Sequence, residues 1–353
     1  MVHVLLTGGN GFLASHILDH LVSGSREHTV TFTVRTKEKG DQVLARYDDS
    51  IRRRLSVFIV PAFTTSGAFD ECLQSKAFDA ILHVASPFYY SATDIQGELL
   101  DPSIIGTTSL LEAASHHPSI KTVVLTSSFA AILDSYKSAE IPEHTYTAED
   151  WNPLSKEDAF KSTLNGYRVG KILAEKAAWD FMDARAPTFS LVTMCPTLCY
   201  GPVIQPLSSL ESINTSNQRV YNFISGAFKS QIPDTGASFY LWIDVRDAAY
   251  AHVKAMERQL SSAQNRRYLL TEGHFTNKDI CAIVARRFPE YEDALPDWKG
   301  SDGGFPAGGV YNFSNRAATE ELGLSYRGLE ESIVDTVRSL KSLEERVGKV
   351  LRN

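Results

Sequence analysis

TGGNGFLASH, residues 7–16, follows the apolar run Val2 to Leu6 and leads straight into a helical spacing of Phe12, Leu13, Ile17, Leu18, Leu21 and Val22 that stops at Gly24. A strand, a glycine turn and a helix in that order give a glycine-rich motif its physical meaning. Gly9-Asn10-Gly11-Phe12-Leu13-Ala14 satisfies G-x-G-x-x-A, and Gly8, Gly11 and Ala14 also satisfy G-x-x-G-x-x-A. Small residues there let a pyrophosphate approach backbone N–H groups at the positive end of a helix. A tight turn without a ligand is the plainer alternative, and the strand and helix on either side argue against it. Gly8, Gly9, Asn10, Gly11, Phe12 and Leu13 are therefore the candidate phosphate cradle.

Outward from this turn, further apolar runs read as strands at Thr29 to Val34, Val57 to Val60, Ala80 to Val84, Thr122 to Thr126 and Phe189 to Met194. Helical stretches lie between them, the clearest near Asp101 to His117 and Ser162 to Ala184. Strands alternating with helices predict an α/β chain: a doubly wound parallel sheet of the Rossmann type, whose ligand crevice lies at the carboxyl ends of the strands. After Pro196 the alternation dissolves, and residues 201–236 are rich in Ser, Asn and Pro. We expect a dinucleotide-binding domain over 1–199, joined by about 240–258, and a smaller α+β substrate lobe over 200–353. Gly300 to Gly309 reads as a loop or hinge, and Ile333, Val337 and Leu340 mark a closing helix.

At 353 residues with 43% hydrophobic and 22% charged positions, the chain has the composition of a folded globular protein. Its net charge of −7 argues against nucleic acid as the main partner, because such binding depends on clustered Lys and Arg. The densest basic run, Arg52 to Arg54, reads as a solvated face. Four scattered cysteines suit neither a disulfide framework nor a zinc site, so no metal is expected. The N-terminus lacks the pattern of a signal peptide, and no apolar window reaches membrane-spanning length. The expected compartment is the cytoplasm.

The second strand, TFTVR, ends in Arg35, with Lys39 four residues on. An acid at that strand end would accept hydrogen bonds from a ribose diol, whereas an arginine pairs with a 2′-phosphate. A plain exposed basic pair is the alternative reading of Arg35 and Lys39, and NADPH is expected rather than NADH. Two segments, YRVGK at 167–171 and YAHVK at 250–254, each place a tyrosine one helical turn before a lysine. Only the first follows a hydroxyl-bearing strand end, Thr126-Ser127-Ser128, so Tyr167 and Lys171 are the expected chemical pair and Tyr250 and Lys254 the structural one.

TGGNGFLASH, the strand end TSS, YRVGK and the later CYGP together resemble the extended short-chain dehydrogenases/reductases. HVASPF at 83–88, INTS at 213–216 and WIDVRDAAYAH at 242–252 extend the likeness to NADPH-dependent fungal ketone and aldehyde reductases of the methylglyoxal reductase type, and to plant dihydroflavonol and cinnamoyl-CoA reductases. The resemblance implies Ser128, Tyr167 and Lys171 as a catalytic triad. It also implies that Ala85 and Ser216 line the cofactor and that Pro196 and Cys199 lie beside the nicotinamide. The chain departs from the family pattern in two places. Ala62 and Phe63 stand where an Asp often holds the adenine amine, and Ile105 stands where many members carry an Asn on a water-linked proton path.

What the triad implies is NADPH-dependent reduction of a ketone or aldehyde, with Tyr167 as general acid and Ser128 holding the oxygen. A tyrosine hydroxyl ordinarily titrates near 10, and a neighbouring ammonium favours release of its proton. Phe88 and Phe129 are candidate walls of the substrate pocket; the alternative is that they pack the core beneath it. Epimerisation or dehydration through transient oxidation, and NADP binding without turnover in a redox sensor, are the rival readings. The expected partner is a small carbonyl compound, with the protein acting as a monomer or homodimer.

Overall fold

The computed structural model describes residues 2–24, 28–86, 92–137, 139–235, 239–300 and 303–350. Seven parallel strands make the central sheet: β1 (Val2–Thr7), β2 (His28–Val34), β3 (Leu55–Ile59), β4 (Ala80–His83), β5 (Thr122–Thr126), β6 (Ser190–Pro196) and β7 (Arg266–Leu270). Their spatial order is β7-β6-β5-β4-β1-β2-β3. The chain starts in the middle, winds outward through β2 and β3, then crosses back to β4 on the other side of β1. That reversal opens a crevice beyond the carboxyl ends of β1 and β4.

Alternation within β1 decides how the sheet is covered. Val4 and Leu6 pack with Ile17, Leu18 and Leu21 of α1 (Phe12–Ser23) and with Ala248 of α5 (Val245–Ser262). Leu5 points the other way, among Leu110 and Leu111 of α3 (Asp101–Ser115) and Met182 of α4 (Thr163–Arg185). Successive strand residues face opposite sides, so a run of apolar residues suits a strand buried on both faces. A short helix, α2 (Lys37–Leu44), follows β2.

The strand Arg266–Leu270 is one that the apolar-run reading passes over. RRYLL opens with two arginines and lies beyond the point where the alternation fades, yet it pairs parallel with β6, Leu270 opposite Pro196. The chain therefore leaves the main sheet after β6, returns through α5 and β7, and leaves again. Residues 266–270 thus join the main sheet in addition to the expected return at about 240–258, and other pieces after β6 lie outside that sheet. They include a small sheet of Leu198–Tyr200, Leu241–Asp244 and Gly273–His274, and the closing helix α6 (Leu329–Val350). Ile333, Val337 and Leu340 of α6 pack against Trp242, Phe223 and Phe275. Burying each such side chain contributes about 1.5–3 kcal/mol. No helix among the described residues is long and apolar enough to cross a membrane.

Candidate active site

The glycine turn meets the strand across the crevice at close quarters. Gly8 has φ +71°, and a Cβ there would stand 3.2 Å from Ala85, just past the end of β4. A Cβ on Gly9 would come within 2.6 Å of the Phe32 ring. Thr7 holds the two loops together: its hydroxyl oxygen accepts from the N–H groups of Val84 (3.1 Å) and Ala85 (3.0 Å). Its proton is left for Nδ1 of His83, 2.9 Å away. Burial, then the Lys171 charge, push His83 down to about 3, so this imidazole is neutral and able to accept.

At the end of β2, Arg35 and Lys39 are exposed, and neither has an ion-pair partner among the described residues. Their neighbour Lys37 is held by Asp41 at 2.6 Å. Two cations at the end of β2, the strand whose Thr33 accepts from the Gly8 and Gly9 N–H groups, suit a phosphate monoester, and the close backbone approach at Gly8 and Gly9 suits the diphosphate. The described residues thus fit NADPH. Asn10, Gly11, Phe12 and Leu13 are all partly accessible. Ser216 is partly accessible in the first turn of Thr215–Ile224, Cys199 is partly buried, and Pro196 is buried at the end of β6.

Ser128 leaves β5 in an extended conformation, φ −162° and ψ 153°, and accepts from the Ala130 N–H at 3.1 Å. The half-buried Tyr167 of α4 donates to Ser128 Oγ at 3.4 Å. One turn further, Lys171 is 8% exposed and donates to the Thr126 carbonyl at 3.3 Å. Burial pushes its ammonium down to about 8, with Glu175 and then Cys195 opposing that fall. The three side chains expected to act together therefore converge at one strand end.

YAHVK lies on α5, and its parts are otherwise engaged. Lys254 donates to Glu257 at 3.0 Å and stands 5.3 Å over the Tyr250 ring, which in turn packs against His20. The segment's link to the site is His252. Its Nδ1–H donates to the Ala248 carbonyl at 2.7 Å, which leaves Nε2 to accept from the Thr126 hydroxyl at 2.9 Å. Burial holds this ring neutral, at about 4.

Three expectations need amendment or lie elsewhere. Phe129 does not border the crevice: it is 0% exposed, its ring 5.7 Å from Tyr146, 5.8 Å from Phe239 and 6.1 Å from Tyr311. The short helix Phe129–Ala131 turns it inward immediately after Ser128. Phe88 lies outside the described residues. Ile105 is 39% exposed on the outer side of α3, whereas Ser103 and Thr107, two residues to either side, line the cleft with Lys171. At the departure from the family's Asp, Phe63 is half-buried, and a Cβ on Gly106 would come within 2.6 Å of its ring, so that ring covers α3.

Two residues were not anticipated. Glu175, one turn beyond Lys171, accepts from Arg267 of β7 at 2.7 Å and from Ser127 at 2.6 Å. The signal for Glu175 was legible, since Tyr167, Lys171 and Glu175 follow one another at a spacing of four. Arg267 had no such signal, being ninety-two positions away.

The model of the NAD dependent epimerase/dehydratase family matches residues 4–270. A ketoreductase of Aspergillus niger, azaE, is 37% identical over 343 residues, covering 96% of this chain and 97% of its own. A cinnamoyl-CoA reductase of Medicago truncatula is 34% identical over 340 residues, covering 96% of this chain and 95% of its own. The crystal structure of yeast methylglyoxal/isovaleraldehyde reductase complexed with NADPH superposes with a TM-score of 0.88 at 30% identity, over 98% of this chain and 99% of that one.

Proposed function

The chain belongs to the NAD dependent epimerase/dehydratase family, and we propose that within it the protein is an NADPH-dependent carbonyl reductase, converting a ketone or aldehyde to the alcohol. The observation that carries this reading is the Tyr167 hydroxyl 3.4 Å from Ser128 Oγ at the end of β5, with buried Lys171 one turn along. When bound, NADPH supplies the hydride. The chain supplies position and charge. Ser128 donates a hydrogen bond to the carbonyl oxygen, Tyr167 protonates that oxygen as it becomes an alkoxide, and the Lys171 ammonium stabilises the tyrosinate left behind. Arg35 and Lys39 receive the 2′-phosphate, and Gly8 to Leu13 receive the diphosphate. Ala85 and Ser216 line the cofactor, and Pro196 and Cys199 lie beside the nicotinamide. We extend the reading to a small carbonyl substrate handled in the cytoplasm by a monomer or homodimer.

A scan of NADPH consumption across aldehydes and ketones tests the proposal. Oxidation of NADPH in step with alcohol formation is the expected result. Interconversion of a sugar nucleotide with the cofactor returned unchanged would move the protein to epimerisation, and NADP binding with no turnover at all would make it a sensor.

Cofactor choice has its own test. Arg35→Asp removes one charge-assisted contact, worth roughly 1.5–3 kcal/mol, and adds repulsion. NADPH affinity should fall on the order of ten- to a hundred-fold while NADH is relatively favoured. Steady-state kinetics with both cofactors check this, and an unchanged preference would refute the assignment of Arg35.

A further inference from the structure

Behind Lys171 lies an ion pair that the reading above does not use. Arg267 donates to both oxygens of Glu175, at 2.7 and 3.2 Å. It also donates to the carbonyls of Ala148 (2.6 Å) and Asp150 (2.5 Å), and its guanidinium lies 3.9 Å from the Trp151 ring centre. Glu175 is 1% exposed. Burial opposes its ionisation, but Arg267 and Ser127 prevail and hold the carboxyl below its usual value. A buried ion pair is weak evidence of stabilisation, because desolvating two charges costs about as much as their attraction returns. Its position suggests another use.

We propose that Glu175, clamped by Arg267, is a positioning residue for the reduction: its fixed carboxylate keeps Lys171 in the ammonium form on which proton transfer from Tyr167 depends. The proposal rests on the reading of Tyr167 and Lys171 given above. Lys171 and Glu175 line one cleft together with Ser103, Thr107 and Ser127. Ser103 and Thr107 give their own protons to helix carbonyls, at 2.7 and 2.9 Å, so towards the cleft they offer lone pairs that suit a cation. The other groups around Lys171 are Tyr167 on its own helix, the Thr126 carbonyl from β5, Cys195 from β6 and His83 from β4. His83 is neutral, burial pushes the Cys195 thiol up, and Glu175 is therefore the anion that opposes desolvation of the ammonium.

The sign follows. Removing the Glu175 charge lowers the Lys171 pKa, so the ammonium is lost at lower pH. The alkaline limb of kcat/KM for carbonyl reduction should move down by about one pH unit in Glu175→Gln. Glu175→Asp keeps the charge and should keep the limb near its wild-type place. The Arg267 cation also repels the Lys171 ammonium directly, so Glu175→Gln with Arg267→Met should still shift the limb, though less than Glu175→Gln alone. That double variant also avoids leaving a buried unpaired guanidinium, so it should fold. A merely structural pair predicts lower melting temperature with the limb unmoved, and that result in a folded Glu175→Gln overturns the proposal. Failure of both charge-removing variants to fold would assign the pair to structure and overturn it equally. A wild type inert across the carbonyl panel would strike down the functional reading itself, and this proposal with it.

Discussion

Tyr167→Phe should lower kcat for carbonyl reduction by two to four orders of magnitude, the range that a positioned general acid contributes, while NADPH binds as before. Tyr250→Phe should leave kcat nearly intact. The hydroxyl removed at 167 is the one within reach of Ser128, on a helix whose next turn carries the buried lysine. The ring at 250 is held between His20 and the Lys254 ammonium on α5, and its hydroxyl has no role in that packing. Stopped-flow or steady-state turnover beside fluorescence titration of NADPH separates loss of chemistry from loss of cofactor. Equal losses from the two substitutions would remove Tyr167 from the proposed role.

The same comparison shows what kind of signal a sequence carries. The repeated Tyr-x-x-x-Lys could not be resolved by pattern, since both copies fall on helices. It was resolved by what precedes each copy, and Ser128 turned out to sit beside the first. The strands of the main sheet up to β6 were legible as apolar runs alternating with helical stretches, because a parallel sheet covered on both faces demands such runs. Arg267 and β7 were not legible for the opposite reason. That strand spends its polar residues on a buried partner, and a charged residue is read as surface until its partner is known. Ile105 failed through helical phase: a shift of two residues turns a side chain through about half the circumference, from the cleft to solvent.

Phe129→Ala should cost roughly 3–5 kcal/mol of stability and lower activity on every carbonyl substrate alike. From the sequence, a ring immediately after Ser128 had two readings, a pocket wall or a core residue, and they differ in what truncation does. The structure puts the ring at 0% exposure among Tyr146, Phe239 and Tyr311. The contacts with Tyr146 and Phe239 are edge-on, and such pairs add about 0.5–1.5 kcal/mol beyond the buried area. Three rings facing the vacated space cannot all collapse into it, so much of the cavity penalty should remain. The loss should also reach the chemistry, because Phe129 anchors the short helix whose first N–H groups Ser128 caps, and a loosened helix lets Ser128 drift from Tyr167. Such drift weakens the hydrogen bond to any carbonyl oxygen, large or small. The ratio of kcat/KM between a bulky and a small ketone should therefore stay constant while the melting temperature falls. A ratio altered by about ten-fold or more, with melting unchanged, would return Phe129 to the pocket wall.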